Sequence, residues 1–366
     1  MSCKACRAEF GFFKTGRPCG ACKGIFCKAC SRRFLLLENP NIELGVELDP
    51  HDPVPVCDEC FRKQSSVDHS HVHDAYGPEG GEGLVFVHGN MATRRMFCSF
   101  VREMLAIRPD CRIYCIDMPG HGSRMDEELT MKSAVGAVKE AVDRLSQEYV
   151  EFHVAAGKPR DAALLERSRP AVMGYSMGSY ISMAALGSCS KWDVVPKAFM
   201  IGGGGFNMNR TGAGLGLSLF GVFAIKLKGE LAVAKSVQEQ YPKCPVPLLQ
   251  ECFYRAGGHP EIWPKSQAML LSCNYAEALS RYDGSVLFFR GEHDFSDGDE
   301  LWLKSSKRGV LSVIKEGDHM VFVEYGKETA KALDTFLSSL AMPASASEEA
   351  AAEDSQQEEI AEANGE

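Results

Sequence analysis

The motif around Ser176 could supply a nucleophile. Gly174-Tyr175-Ser176-Met177-Gly178 fits the pattern G-x-S-x-G and lies at the end of a short apolar run. In such a motif a sharp strand-to-helix turn pushes the serine Oγ outward, and glycines two residues to either side let neighbouring backbones pass closely. A hydroxyl presented in this way can attack an acyl carbon when a base takes its proton. A five-residue match is weak alone, so the interpretation depends on partners elsewhere in the chain.

An acid and a base follow two apolar runs further along the chain. Asp294 comes directly after SVLFFRGEH, and His319 comes directly after VLSVIKEGD. We expect His319 to take the proton of Ser176, and Asp294 to hold the imidazole in the right tautomer and stabilise its charged form. Parallel strands deliver the residues that follow them to one edge of a sheet, so positions distant in sequence can converge there.

Three other acids compete with Asp294 for the third role. Asp318 adjoins His319 and would normally point elsewhere, whereas Asp297 and Asp299 lie farther from the end of the apolar run. The order of residues therefore favours Asp294 as the group that orients the histidine.

Eight cysteines near the N-terminus stand in Cys-x-x-Cys pairs and could bind metal. The pairs are Cys3/Cys6, Cys19/Cys22, Cys27/Cys30 and Cys57/Cys60. Four such chelating arms suffice for two tetrahedral sites of four thiolates each, and zinc is the metal that suits them. We expect two structural zinc ions, because a segment this poor in apolar groups needs metal-binding free energy to fold. Disulfide bonds are the alternative, and no cofactor is expected for the catalysis itself.

Composition limits the class of protein. Apolar residues make up 45% of the 366 residues and charged residues 24%, which is typical of a globular protein with a large core. The net charge of -9 argues against nucleic-acid binding, for which a basic stripe would be expected. We find no secretory signal after Met1 and therefore expect a reducing, cytoplasmic setting, in which cysteines serve as thiols or metal ligands.

Six apolar runs alternate with segments of helical length, which predicts a parallel sheet covered by helices on both faces. The runs are Leu84–Val87, Ile113–Ile116, Ala171–Gly174, Lys197–Ile201, Ser285–Arg290 and Leu311–Lys315. The gap between the fourth and fifth runs is too long for a simple crossover, which predicts an inserted cap over 206–283. Within it, the uncharged stretch 211–225 is too short to span a bilayer, since about 20 residues are needed. It is either a lid that contacts lipid or an acyl group, or a buried cap helix.

The order of these motifs resembles the α/β-hydrolase family over about residues 84 to 340. LVFVHGN resembles the loop that supplies the oxyanion hole, and RIYCIDMPGHGS resembles the next strand and its loop. The resemblance implies that the backbone N–H of Met177, with that of Asn90 or Met91, would stabilise the oxyanion. It also implies that His88 and His121 are scaffold, because this fold orders its triad as serine, acid and histidine.

The cysteine-rich segment resembles the FYVE family of zinc fingers. Cys19 to Ser31 reads CGACKGIFCKACS, and VCDEC closes the segment. The resemblance implies a cross-brace in which the first and third pairs bind one zinc ion and the second and fourth pairs bind the other. The family's phosphoinositide-reading motifs are not intact here, and Gly16-Arg17-Pro18 stands where the double-histidine run should end. The eight Lys or Arg residues within 1–37 could attract an anionic membrane, or could offset the charge of the thiolate sites.

The chain accordingly divides into a finger, a linker, a hydrolase domain and a tail. The expected boundaries are 1–63 for the finger, 64–83 for a polar linker, 84–341 for the hydrolase domain and 342–366 for an acidic, disordered tail. In the linker, His69, His71 and His73 could be metal ligands, but an irregular first strand of the sheet is the favoured interpretation.

These features predict a serine hydrolase of the esterase or lipase type. Its substrate would be a lipid or other apolar acyl ester, and the finger would hold it to a partner or peripherally on endosomal or other internal membranes. The alternative is a non-catalytic adaptor with a hydrolase fold, whose finger binds a phosphoinositide or a protein. A thioesterase or amidase would use the same three side chains, because fold and triad do not set the leaving group.

Overall fold

The protein is described by a computed structural model that covers residues 1–12, 14–31, 33–35, 54–65, 67–90, 92–207 and 262–340. In the N-terminal part the strands are β1 (Gly16–Pro18), β2 (Ile25–Cys27), β3 (Arg33–Leu35) and β4 (Val54–Val56). The remaining strands are β5 (His73–Tyr76), β6 (Glu82–Val87), β7 (Cys111–Ile116), β8 (Ala171–Tyr175), β9 (Ala198–Gly202), β10 (Ser285–Gly291) and β11 (Arg308–Ile314).

Strands β5 to β11 form one seven-stranded sheet in the order β11-β10-β9-β8-β6-β7-β5. Six of them run parallel, and each of the six apolar runs in the sequence falls on one of these six. Neighbouring residues of β6 enter opposite cores, with Leu84 and Phe86 on one face and Val85 and Val87 on the other. Burial on both faces explains why the inner strands read as continuous apolar runs, whereas β11 at the sheet edge is apolar but largely exposed.

The first strand of the sheet, β5, begins at His73, in the histidine run where the sequence favours an irregular first strand. β5 pairs antiparallel with β7, so the sheet is mixed, and it lies inside the segment 64–83 that composition suggests as a linker. Its four residues, His-Asp-Ala-Tyr, occupy the sheet edge and are only partly buried. A short edge strand needs no apolar run, which is why apolar periodicity gives neither its bounds nor its direction.

Ten α-helices are described. They are α1 (Asp58–Gln64), α2 (Phe100–Ile107), α3 (Met131–Ala155), α4 (Ala162–Arg167), α5 (Met177–Leu186), α6 (Ile262–Leu270), α7 (Tyr275–Ser280), α8 (Asp299–Ser305), α9 (Val321–Glu324) and α10 (Gly326–Ser339). Helices α2 and α10 cover one face of the sheet, and α3 and α5 cover the other. Within the described residues, no helix combines the length and the apolar composition that crossing a membrane requires.

The N-terminal segment has its own small core. β1 pairs with β2 and β3 with β4, both antiparallel, and α1 follows the last strand. Its apolar cluster joins five of the cysteines to side chains such as Phe26, Leu35, Val56 and Phe61. Met125, in the loop after β7, is 4% exposed and belongs to the same cluster, so this segment and the seven-stranded sheet domain are packed together.

Some sequence predictions fall outside the described residues. These are most of the cap, 208–261, with its apolar stretch 211–225; the acidic tail; and Met91. At its edges the cap segment contributes Phe206, Asn207, α6 and α7.

Candidate active site and metal centres

Ser176 lies in a tight turn between β8 and α5. β8 ends at Tyr175, α5 begins at Met177, and Ser176 between them has a φ of 54° and a ψ of -116°. A Cβ at Gly174 would lie 2.2 Å from the Gly178 carbonyl oxygen, and a Cβ at Gly178 would lie 2.2 Å from the Val87 carbonyl oxygen. Only glycine fits at either position, so the spacing of the motif follows from how closely these backbones pass.

Three polar side chains meet at the carboxyl ends of the parallel strands. His319 Nε2 lies 3.0 Å from Ser176 Oγ, and His319 Nδ1 lies 2.9 Å and 3.0 Å from the two carboxylate oxygens of Asp294. Asp294 follows β10 and is 1% exposed, whereas His319 follows β11 and is 22% exposed. The chain thus brings together the three residues that its sequence suggests as nucleophile, base and orienting acid.

The environment of His319 favours the protonated imidazole. Burial is the largest single effect on the pKa of His319 and lowers it, but the charge and hydrogen bond of Asp294, with a smaller contribution from Glu324, raise it further. The net result is a pKa above the ordinary value of 6.5. Such a histidine is a better proton acceptor than a free imidazole.

The other candidate acids have different contacts. Asp299 accepts a hydrogen bond from Arg290 Nε at 2.7 Å, and Asp297 accepts one from the backbone N–H of Asn207 at 3.3 Å. The backbone N–H of Asp318 donates to Glu324 at 2.8 Å. Among the described contacts of His319, the carboxylate partner is Asp294.

The loop after β6 lies beside Ser176. A Cβ at Gly89 would be 3.2 Å from the Cβ of Ser176, which places Asn90 next to the nucleophile. Met177 is the first residue of α5, so its N–H has no acceptor within the helix. These backbone groups are candidates for an oxyanion hole, and Met91 is outside the described residues.

His88 and His121 support this loop. His88 is fully buried, accepts the backbone N–H of Met118 at Nε2 (3.0 Å) and donates from Nδ1 to the Gly89 carbonyl (2.7 Å). Accepting at one nitrogen makes His88 a neutral imidazole, and burial, its largest effect, keeps its pKa below the ordinary value. The ring of His121 packs edge-on against it at 5.0 Å.

Two residues that support the surroundings of the site are not apparent from the sequence. The Tyr175 hydroxyl donates to the backbone carbonyl of His319 and so holds the loop after β11. Arg94 is 1% exposed and binds Asp117 and the segment before β5. Tyr175 occupies a variable position of the G-x-S-x-G motif, and an arginine outside any apolar pattern reads as a surface residue.

The eight paired cysteines form two clusters. One contains Cys3, Cys6, Cys27 and Cys30, and the other contains Cys19, Cys22, Cys57 and Cys60; within each, the sulfurs lie within 4.8 Å of one another. The Sγ atoms of Cys6 and Cys27 are 3.7 Å apart. A tetrahedron with Zn–S bonds of about 2.3 Å requires sulfurs roughly 3.8 Å apart. The spacing therefore fits zinc.

The electrostatics of the clusters also fit a cation. Burial and the neighbouring sulfurs raise the pKa of the Cys30 thiol to about 12, so four thiolates would not coexist there without a compensating charge. Backbone N–H groups of Cys27 and Cys57 donate to the sulfurs of Cys3 and Cys19, both at 3.3 Å. These bonds hold the sulfurs of Cys3 and Cys19 in place and favour their thiolate form.

Comparisons with known protein families divide the chain in the same way. The alpha/beta hydrolase family matches residues 84–332, and the FYVE zinc finger matches residues 1–66. Vacuolar protein sorting-associated protein 27 of Scheffersomyces stipitis is 30% identical over 83 residues, which are 23% of this chain and 10% of that protein. The chain thus spans about a tenth of the length of this relative.

Solved structures share the fold of the larger domain. An esterase from Exiguobacterium antarcticum has a TM-score of 0.55 at 15% identity, covering 73% of this chain and 94% of its own. A bromoperoxidase from Bacillus anthracis has a TM-score of 0.56 at 14% identity, with coverages of 73% and 94%. An enol-lactonase from Burkholderia xenovorans has a TM-score of 0.54 at 14% identity, with coverages of 73% and 95%. Identities this low show a common fold and no more.

Proposed function

The chain belongs to the alpha/beta hydrolase family, and from that premise we propose that it is a serine hydrolase that cleaves carboxylic esters. The observation that carries the proposal is the hydrogen-bonded series from Ser176 through His319 to Asp294. In this arrangement Ser176 is the nucleophile, His319 the general base and then the general acid, and Asp294 the group that orients the imidazole.

The reaction proceeds in two half-reactions. Ser176 Oγ attacks the acyl carbon while its proton passes to His319 Nε2, and the buried Asp294 carboxylate stabilises the imidazolium that forms. The tetrahedral intermediate then expels the alcohol, which takes the proton from Nε2. A water molecule, deprotonated by the same nitrogen, attacks the acyl-enzyme and releases the acid and free Ser176.

Backbone donors stabilise the charge that develops on the acyl oxygen. The N–H groups of Met177 and Asn90 are the donors we propose, with Met91 as the alternative to Asn90. The end of α5 assists, because the N-terminus of a helix carries partial positive charge. A donor fixed in place before the reaction costs no reorganisation during it.

The rim of the site favours an apolar acyl or alkyl group. Phe295, the residue after Asp294, is 58% exposed and packs edge-to-face against Phe206 with ring centroids 5.5 Å apart. Phe206 is in turn held by the Tyr180 hydroxyl, which donates to its backbone carbonyl at 2.9 Å. An exposed ring, Phe295, next to a partly buried one, Phe206, suits a lipid or other apolar ester better than a charged substrate.

Labelling the full chain with a fluorophosphonate, which phosphonylates activated serines, tests the proposal. Stoichiometric labelling, together with cleavage of apolar esters, supports a serine esterase. Absence of both would favour the rival function, an adaptor that keeps the hydrolase fold without its chemistry. Preference for a thioester or amide over the matching ester would keep the mechanism and correct the substrate class.

Ester cleavage is expected to decline as the pH falls, with a midpoint above 6.5. His319 must be neutral to accept a proton, and Asp294 and Glu324 raise its pKa above that value. Activity is therefore full above the raised pKa and is lost as the pH falls through it. A pH profile of kcat/KM checks this, and Glu324→Gln should move the midpoint to lower pH.

The control for this profile is Glu328→Gln, an exposed carboxylate of α10. It should leave the midpoint unchanged. A wild-type midpoint below 6.5, or equal shifts in the two variants, would contradict the assignment of the acid limb to His319.

We further propose that the FYVE-type finger binds two structural zinc ions and supplies no group that reacts with the substrate. Metal analysis of the full chain is expected to find two zinc ions. Cys6→Ser and Cys22→Ser, which touch different clusters, should each lower the count by about one and destabilise the finger. Cys273→Ser, a partly buried cysteine far from both clusters in sequence, should leave the count at two. A zinc ion that persists after both cluster variants are combined would place metal elsewhere.

The finger is also proposed to attract anionic membranes through scattered charge. Arg17 Nε donates a hydrogen bond to the Ser31 hydroxyl at 2.9 Å, and Arg62 forms an ion pair with Asp126 at 2.7 Å. Neither guanidinium is therefore wholly available to bind a phosphate. Liposome binding is expected to follow total anionic lipid and to weaken sharply toward physiological salt, where the Debye length is about 8 Å. Sedimentation with liposomes at several salt concentrations measures it. Selection of phosphatidylinositol 3-phosphate at physiological salt would contradict this expectation and support specific endosomal targeting.

A further inference from the structure

Arg94 is a buried charged residue in the segment after β6. Its side chain is 0% exposed and pairs with two carboxylates, those of Asp117 (2.6 Å) and Asp74 (2.8 Å). Nη2 donates to the backbone carbonyl oxygen of Asp68 (2.6 Å), and Nη1, which binds Asp117, also donates to the His71 carbonyl (2.9 Å) and the Ser123 hydroxyl (3.0 Å). A buried guanidinium is stable only when its N–H groups are bound, so these partners must hold their places around it.

One set of these contacts leads to the oxyanion loop. Arg94 begins a short 3₁₀ helix that folds back on the loop after β6, where the Gly89 N–H donates to Met96 Sδ at 3.3 Å. The Arg94 backbone N–H also donates to Asp117 at 2.8 Å. The residue after Asp117, Met118, holds the ring of His88. Arg94 is thus tied at two points to the His88-Gly89-Asn90 loop beside Ser176.

The other set of contacts leads to the zinc finger. Asp68 and His71 lie in the segment that joins the finger to β5. His69 between them packs edge-on against Phe61 of the finger, with ring centroids 5.3 Å apart, and hydrogen-bonds to Ser65 at 2.8 Å. The finger also packs against the loop after β7, since Met125 of that loop is buried in the finger's apolar cluster. It therefore reaches Arg94 both through the joining segment and through the loop that carries Asp117.

We propose that Arg94 is a positioning residue that couples the zinc finger to the oxyanion loop of the hydrolase. The proposal rests on the esterase function proposed above and adds a regulation of that site. When the finger is packed in place, the carbonyls of Asp68 and His71 complete the shell of Arg94, and the loop is held for the transition state. When the finger is displaced, those acceptors move, the guanidinium binds other partners, and the loop loses its position.

The test uses the full chain with three single substitutions. Arg94→Lys keeps the charge but cannot make five directed bonds. Met125→Asp puts a charge into the contact between finger and hydrolase domain. Leu165→Asp, at a position on α4 that is 45% exposed, is the matched control for Met125→Asp. Hydrogen exchange of the peptide spanning residues 86–97 measures the loop directly, without any need for activity.

We expect faster exchange of the 86–97 peptide in Arg94→Lys and Met125→Asp, and wild-type exchange in Leu165→Asp. Arg94→Lys and Met125→Asp should each lower kcat about 10- to 100-fold, the scale of a misplaced or lost oxyanion donor. Each should leave KM within about threefold of wild type. Fluorophosphonate labelling carried to completion counts the intact sites, so a loss of folded protein cannot be mistaken for a loss of kcat. The double variant should lower kcat little more than either single variant, because both act through one loop.

Either of two results would overturn the coupling. Met125→Asp could change exchange only within the finger and leave kcat as in the control, or the two effects on kcat could multiply in the double variant. If wild type shows neither labelling nor turnover, the esterase function fails on its own. The exchange measurement then still decides whether the finger and the loop are coupled.

Discussion

Ser176→Ala is expected to abolish fluorophosphonate labelling and to lower kcat for ester cleavage by on the order of 10⁶, the loss known for such a nucleophile. Ser176 Oγ is the atom within 3.0 Å of the general base, and alanine offers nothing in its place. The substitution keeps the Cβ and removes only the hydroxyl, so thermal unfolding should change little. Labelling, turnover and thermal unfolding measured on the same preparation check the three expectations.

A serine outside the site provides the control. Ser188 lies just beyond α5, where its hydroxyl donates to the Ala185 carbonyl at 3.3 Å. Ser188→Ala should label and turn over like wild type. Labelling that persists in Ser176→Ala would remove Ser176 as the nucleophile, and the proposed chemistry with it.

Asp294→Asn is expected to keep the protein folded and to lower kcat by roughly 10⁴, as in the best-studied triad. Asp294 accepts the Nδ1 proton of His319, which leaves Nε2 free to take the proton of Ser176. An asparagine can instead donate to Nδ1 and thereby place the ring proton on Nε2, the nitrogen that must be empty. It also removes the charge that stabilises the imidazolium. Steady-state kinetics of the two forms measure the loss.

Asp297→Asn is the matched control for this prediction, since Asp297 follows the same strand and binds the Asn207 N–H instead of the histidine. Its kcat should fall by less than about tenfold, within the range of a displaced neighbour. If Asp297→Asn carries the large loss and Asp294→Asn does not, the orienting acid is misassigned.

The parts of the site that could be predicted are those that short local patterns describe. The turn at Ser176 needs glycines at 174 and 178 because a Cβ at either position would clash with a carbonyl oxygen. The five-residue motif G-x-S-x-G records this steric requirement. Asp294 and His319 each follow an apolar strand, and parallel strands end at one edge. The Cys-x-x-Cys spacing likewise predicts, from the sequence alone, that each cysteine pair can chelate a metal ion.

The parts that could not be predicted depend on contacts between distant segments. The antiparallel pairing and the bounds of β5 were not predicted, because an edge strand pairs through its backbone and needs no apolar side chains that would mark them. Arg94 is buried only because Asp74, Asp117 and two carbonyls from the joining segment surround it. These partners come from distant parts of the chain, so no local sequence pattern predicts the contact. The cap over 206–283 and its apolar stretch stay predictions, since 208–261 lie outside the described residues.

The left-handed backbone of Ser176 has a consequence for how this chain can change over time. A residue with a side chain at a φ of 54° costs about 1–3 kcal/mol, which a glycine there would largely avoid. Selection for stability alone would thus drive position 176 toward glycine, and selection for hydrolysis opposes it. A lineage that came to use the fold only as an adaptor would be expected to lose this serine early and to become more stable as it did so.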